Sequence, residues 1–166
     1  MLVTVHNLQR SVAVNVHKLH HIAEFFASCL GLQHLDVGVA LEETEVVRRL
    51  NRRYRGRDTA TDVLSFSHKE VMYPGNVPQS SGPWDTSLGD LVLALPYIQQ
   101  QCKEENTTLD ERVPILLCHG LCHLLGYTHT TRHNWQLMVK RESSLLQCYN
   151  NAFGTCLRTL TVCEEY

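Results

Sequence analysis

No stretch of this 166-residue chain approaches the roughly 18 consecutive apolar residues of a membrane-spanning helix, so a globular chain without a membrane helix is expected. No C-x-x-C pair is present, which removes zinc ribbons and thioredoxin-like redox motifs. Net charge is nearly absent as well. Fifteen Lys plus Arg stand against 17 Asp plus Glu, −2 with histidine neutral, which argues against a uniformly basic surface for nucleic acid. Acids are missing from residues 1–23, a composition that permits organelle import, and no base precedes the first apolar residues, so no secretory signal is expected. The seven cysteines are an odd number and cannot all pair within one chain. Reduced, mostly buried thiols in an intracellular protein are the expectation. With 43% apolar and 19% charged residues, the chain is not predominantly disordered.

What is present reads as one domain over residues 1–166. Leu2, Val3 and Val5 suggest an opening strand, and His17 to Leu30 has helical periodicity that Gly31 stops. Leu35, Val37, Val39 and Leu41 alternate with smaller or polar residues, the pattern of a half-buried strand. A helix is expected from Glu42 to Tyr54 with Val46, Val47, Leu50 and Tyr54 as its apolar stripe. Strands are expected at Val63–Ser67 and Leu88–Leu95, and Pro96 suits the first turn of the following helix. Between those strands, residues 68–87 hold three prolines and two glycines and read as a surface insertion. Helices follow over Leu109–Leu125 and Arg132–Cys148, the latter with Trp135, Met138, Leu145 and Leu146 inward; the tail 150–166 is undecided. The fold class is α+β, a small mixed sheet packed with several helices.

The chemistry concentrates in ILLCHGLCHLLGYTH, residues 115–129. His119 and His123 are four apart on a helix and share a face, Gly126 can end that helix, and His129 can return from beyond it. A single histidine on an apolar helix is ordinarily a satisfied core residue. Three with a helix-ending glycine between the last two point to a metal. Three nitrogen ligands with an open fourth position suit one catalytic Zn²⁺. The spacing H-G-x-x-H-x-x-G-x-x-H matches the metzincin pattern except that Gly120 replaces the peptidase glutamate, which disfavours a metallopeptidase. Cys118 and Cys122 point about 100° away from the histidine face and are poor ligands.

Arg48, Arg49, Arg52, Arg53, Arg55 and Arg57 lie within ten residues that hold no acid and no lysine. That segment carries +6 and the rest of the chain −8. A solvated helix face whose charges suit the helix dipole accounts for part of this. Arginine also suits bidentate phosphate contacts, so binding of phosphate or nucleic acid is expected here.

The block N-x-x-Y-R-x-x-D-x-x-T-D-V-L-S-F from Asn51 to Phe66, Leu88-Gly89-Asp90, and His119 through His129 together resemble the YbeY family of ribosomal-RNA-maturation endoribonucleases. The resemblance implies a zincin-like α+β domain, one Zn²⁺ on His119, His123 and His129, and a functional arginine at Arg55. It also implies metal-dependent cleavage of single-stranded RNA in rRNA processing. The other five arginines would track the RNA backbone. Partners would be ribosomal RNA and the small ribosomal subunit or a ribosomal protein, with neither DNA nor a membrane expected. Two positions depart from the bacterial pattern: Thr128 stands where Asp precedes the third histidine, and Ser67 where Pro follows L-S-F. Thr128 resembles the animal branch, which implies a mitochondrial location, with the nucleus as alternative. A ribosome-assembly binding factor with a mainly structural zinc is the competing expectation.

Overall fold

The computed structural model describes residues 2–160. Cys163 and residues 161–166 of the undecided tail lie outside the described residues, as does Met1. The elements run β1 (Val3–Asn7), α1 (Val16–Cys29), β2 (Asp36–Glu42), α2 (Thr44–Arg55), β3 (Val63–Ser67), β4 (Ser87–Ala94), α3 (Leu95–Glu104), α4 (Leu109–Leu124) and α5 (Arg132–Phe153). The strands form one mixed sheet in the order β1-β2-β4-β3. β1, β2 and β4 are parallel and β3 is antiparallel to β4. Parallel neighbours require long crossovers, and α1 provides the one between β1 and β2. The fold class is therefore α+β, as the alternation of period-2 and period-3.6 segments indicates. No described helix is long and apolar enough to cross a membrane.

The sheet separates two apolar clusters of unequal size. Leu91 and Leu93 of β4 join Val37, Val39 and Leu41 of β2 in the larger one, against Phe26, Leu116, Leu117, Leu145 and Leu146 from α1, α4 and α5. Val92 and Ala94 join Val47 of α2 and Leu64 of β3 in the smaller one. This division explains a departure in α2. Of its expected stripe only Val47 is fully buried, Val46 and Leu50 are half-buried, and Tyr54 is exposed with its ring 5.2 Å from Phe66. The smaller cluster is too short to cover the helix to its end.

Helix α5 runs past the expected Cys148 to Phe153 because aromatic packing continues beyond it. Tyr149 stacks on Phe26 with ring centroids 5.2 Å apart, and Phe153 meets Phe25 at 5.3 Å. The thiols also differ from expectation. Among the described residues Cys102, Cys118 and Cys122 are buried, but Cys29, Cys148 and Cys156 are exposed. Cys29 ends α1 and Cys148 sits on the outer side of α5, so helical periodicity alone turned neither inward.

The insertion at 68–87 lies at the surface, as expected, and is tied down there. Lys69 Nζ holds Asp85 Oδ1 at 2.6 Å, closing its two ends. The Gly75 N–H donates to Leu125 O at 2.9 Å, so the loop leans on the end of α4.

Candidate metal centre

Helix α4 begins with a reciprocal cap, the Thr108 hydroxyl accepting from the Glu111 N–H while the Glu111 carboxylate accepts from the Thr108 N–H. It stops one residue after His123, at Leu124. Gly126 takes a left-handed φ of 77°, and a Cβ there would stand 3.1 Å from Val71 of the insertion, so glycine is required by backbone and by space. The reversal returns His129 to the helix. Ring centroids are 4.5 Å apart for His119–His123, 5.2 Å for His123–His129 and 5.7 Å for His119–His129. One nitrogen from each of the three lies within 4.8 Å of the others.

The outer nitrogens of the helical pair are engaged. His119 Nδ1 donates to Glu142 Oε1 at 2.7 Å, and His123 Nδ1 donates to the Tyr127 carbonyl at 2.9 Å. A carbonyl oxygen can only accept, so His123 carries its proton on Nδ1 and offers a lone pair at Nε2. His119 does the same against the carboxylate. The two Nε2 atoms face each other at 3.0 Å. Two converging lone pairs repel unless a cation lies between them, so this donor set fits a metal ion. Burial foremost, then the neighbouring His119, pushes the His123 pKa down to about 3, which keeps it neutral and available as a ligand.

Glu142 was not legible as a site residue, although a signal existed. It occupies α5 four residues after Met138 and three before Leu145, within the inward stripe, and is 1% exposed. A carboxylate on a buried stripe needs a polar partner, and His119 is that partner. Cys118 is a poor ligand: its side-chain hydrogen bond with Cys122, together with burial, raises its pKa, and its Sγ lies 4.0 Å from the Glu142 carbonyl. His133 is exposed on α5, as expected.

Gly120 is explained by packing. A Cβ at this position would stand 2.8 Å from Leu91 Cδ2 and 3.4 Å from the Ser65 hydroxyl, which itself donates to the Gly120 carbonyl at 3.3 Å. Helix α4 presses on the sheet here, and any side chain at this position would have to displace that of Leu91 on β4.

The arginines divide into two groups. Arg55, the last residue of α2, is exposed, yet its pKa is lowered by desolvation and then by Arg57, and its charge is among those depressing His123. It therefore belongs to the electrostatic surroundings of the histidines. Arg48 is committed elsewhere, with Nε 3.0 Å from Asp58 Oδ1 and a guanidinium nitrogen 3.6 Å from Glu45. Arg52 lies 4.0 Å from the same Asp58, and Arg53 lies 5.5 Å over the Tyr54 ring. Arg49 and Arg57 are exposed. The structure thus brings Arg55 toward the histidines and leaves the others as a band along α2 and its end.

Comparison with known proteins finds relatives over most of the chain. Residues 4–150 match the family described as Endoribonuclease YbeY. The human protein named Endoribonuclease YbeY is 38% identical over 161 residues, covering 97% of this chain and 96% of its own. The protein of that name from Desulforamulus reducens is 34% identical over 151 residues, covering 89% and 96%. Among solved structures, TM1509 from Thermotoga maritima shares the fold with a TM-score of 0.52 at 18% identity, over 92% of this chain and 94% of its own.

Proposed function

The chain belongs to the YbeY endoribonuclease family, and from that premise we propose that it cuts single-stranded RNA in a metal-dependent reaction of ribosomal RNA maturation. The observation that carries the metal dependence is the 3.0 Å convergence of His119 Nε2 and His123 Nε2 with both outer nitrogens occupied. His119, His123 and His129 would hold one Zn²⁺, whose contribution when bound is Lewis-acid chemistry at an RNA phosphate. Glu142 and the Tyr127 carbonyl fix the tautomers of the two helical ligands. Arg55 binds the scissile phosphate and offsets the negative charge that grows on its oxygens. Arg48, Arg49, Arg52, Arg53 and Arg57 hold the flanking backbone, although Arg48 and Arg52 must exchange Asp58 for phosphate. Gly120 supplies no general base, so peptide hydrolysis by the metzincin route is disfavoured.

The test is cleavage of single-stranded RNA by purified protein, with chelation and zinc add-back. Activity that survives both chelation and His123→Ala would overturn the metal mechanism. The partners follow from the same proposal: ribosomal RNA, and the small subunit or one of its proteins. The likeness of Thr128 to the animal branch supports a mitochondrial location, with the nucleus as the alternative; imaging of the tagged chain decides between them.

A binding factor with a mainly structural zinc is favoured by one observation: Thr128 is exposed beside His129 and brings a hydroxyl, not a carboxylate, to the turn. Normal rRNA processing with His119→Ala, combined with a defect from Arg52→Glu, would support that reading.

A further inference from the structure

We propose a second divalent-cation site on helix α1, formed by His20, His21 and Glu24 and separate from the α4 histidines. Glu24 Oε2 lies 3.3 Å from His20 Nδ1 and 3.4 Å from His21 Nδ1, and one ligand atom from each residue lies within 4.8 Å of the other two. Ligands about 2.0–2.2 Å from a tetrahedral ion stand about 3.3–3.6 Å apart, which is the spacing found here.

The tautomer of His20 is fixed by its other nitrogen. His20 Nε2 lies 2.9 Å from the Val3 carbonyl of β1, which can only accept, so Nε2 carries a proton. His20 Nδ1 then faces a carboxylate oxygen at 3.3 Å, a contact that either a proton or a cation must bridge. A cation in that position satisfies both. The arrangement repeats the logic of the α4 site, where the outer nitrogen of His123 is likewise held by a main-chain carbonyl. His17 stands one turn before His21 with ring centroids 4.3 Å apart, which places a further imidazole beside the cluster. Two imidazoles and one carboxylate suit Zn²⁺, Cu²⁺ or Ni²⁺ and not the oxygen-seeking Ca²⁺ or Mg²⁺. The His21 and Glu24 side chains are 59% and 39% exposed, so an ion can enter from solvent and keep open positions. Because His20 also bonds to β1, an ion here would clamp α1 to the edge strand of the sheet.

The experiment uses the untagged full chain, stripped with chelator, dialysed against zinc and analysed for bound metal. His20 is left intact because it bonds to β1, and His21→Ala/Glu24→Gln changes only exposed side chains. Wild type is expected to hold one more equivalent of zinc than this variant. His119→Ala/His123→Ala is expected to lose the α4 equivalent and keep the α1 equivalent, and zinc should raise its Tm until His21→Ala/Glu24→Gln is added. Equal zinc in wild type and His21→Ala/Glu24→Gln overturns the proposal, and shows that the Glu24 gap is closed by a proton. The His119→Ala/His123→Ala arm reports separately on the α4 site, so failure of one reading is distinguishable from failure of the other. If that variant does not fold, the first comparison still decides.

Discussion

Glu142 Oε1 lies 2.7 Å from His119 Nδ1, and this contact ties α5 to the histidine-bearing face of α4. The carboxylate holds the imidazole in the tautomer whose Nε2 lone pair faces His123. Glu142→Gln retains size and a hydrogen-bonding oxygen but removes the charge, so zinc affinity should fall about 10- to 100-fold with the fold intact. Competition with a chromophoric chelator measures this directly. Unchanged affinity would mean that Glu142 is only a packing partner.

Gly89 has φ of 152°, and a Cβ on it would stand 2.3 Å from the Phe66 carbonyl of the paired strand β3. That neighbour is backbone and cannot turn away. Gly89→Ala should cost about 2–5 kcal/mol, combining left-handed strain with overpacking. Gly31→Ala, at φ of 74° with nothing near its Cβ, should cost only about 1–2 kcal/mol. Urea denaturation of the two variants separates the steric from the conformational part.

Local pattern made most of this architecture readable. Leu35, Val37, Val39 and Leu41 are all fully buried, as their alternation requires, and β3 occupies the expected residues Val63–Ser67. The three histidines meet because their spacing and Gly126 are local features. Long-range relations were not accessible in the same way. Glu142 is 23 residues from His119, and its role depends on how α5 crosses α4. The exposure of Tyr54 depends on how far the second cluster extends, which no helical period encodes. Proline and glycine mark the insertion as irregular surface backbone, but its docking depends on Lys69–Asp85 and on the end of α4, which lie far apart in sequence.

His123 titrates near 3 in the folded chain, against about 6.5 for an ordinary histidine. Between these values the unfolded chain binds a proton that the folded one does not. The metal-free protein should therefore be most stable above pH 6.5 and lose stability as pH falls toward 3, by at most about 1.4 kcal/mol per pH unit from this group. Denaturant midpoints of chelator-treated protein at pH 7.5, 6 and 5 measure the trend, and His123→Asn should flatten it. The same slope in both proteins would assign it to other groups.

The arginine band predicts salt-sensitive RNA binding. For single strands the logarithmic salt slope is about 0.7 per phosphate contact. Arg49→Ala and Arg57→Ala should each reduce the slope by about that amount. Arg48→Ala should reduce it less, because its guanidinium already holds Asp58 at 3.0 Å. Fluorescence anisotropy with a labelled single-stranded RNA over a salt series ranks them, and equal effects would place Arg48 on the RNA despite its carboxylate partner.

Arg55 differs from the rest of the band because its charge is felt at His123 while its own position is partly desolvated. A guanidinium there interacts with a phosphate more strongly than one in open solvent, and its planar fork can contact two phosphoryl oxygens. Arg55→Ala should lower RNA cleavage by about 10²–10³-fold, comparable to loss of one oxyanion-stabilising donor. Zinc content should stay unchanged, because Arg55 is not a ligand. Arg55→Lys retains the charge without the fork and should recover only part of the activity. If the loss resides in RNA affinity, with the single-turnover rate at saturating RNA intact, Arg55 binds substrate no differently from Arg49. A loss in that rate assigns it to the phosphate that reacts.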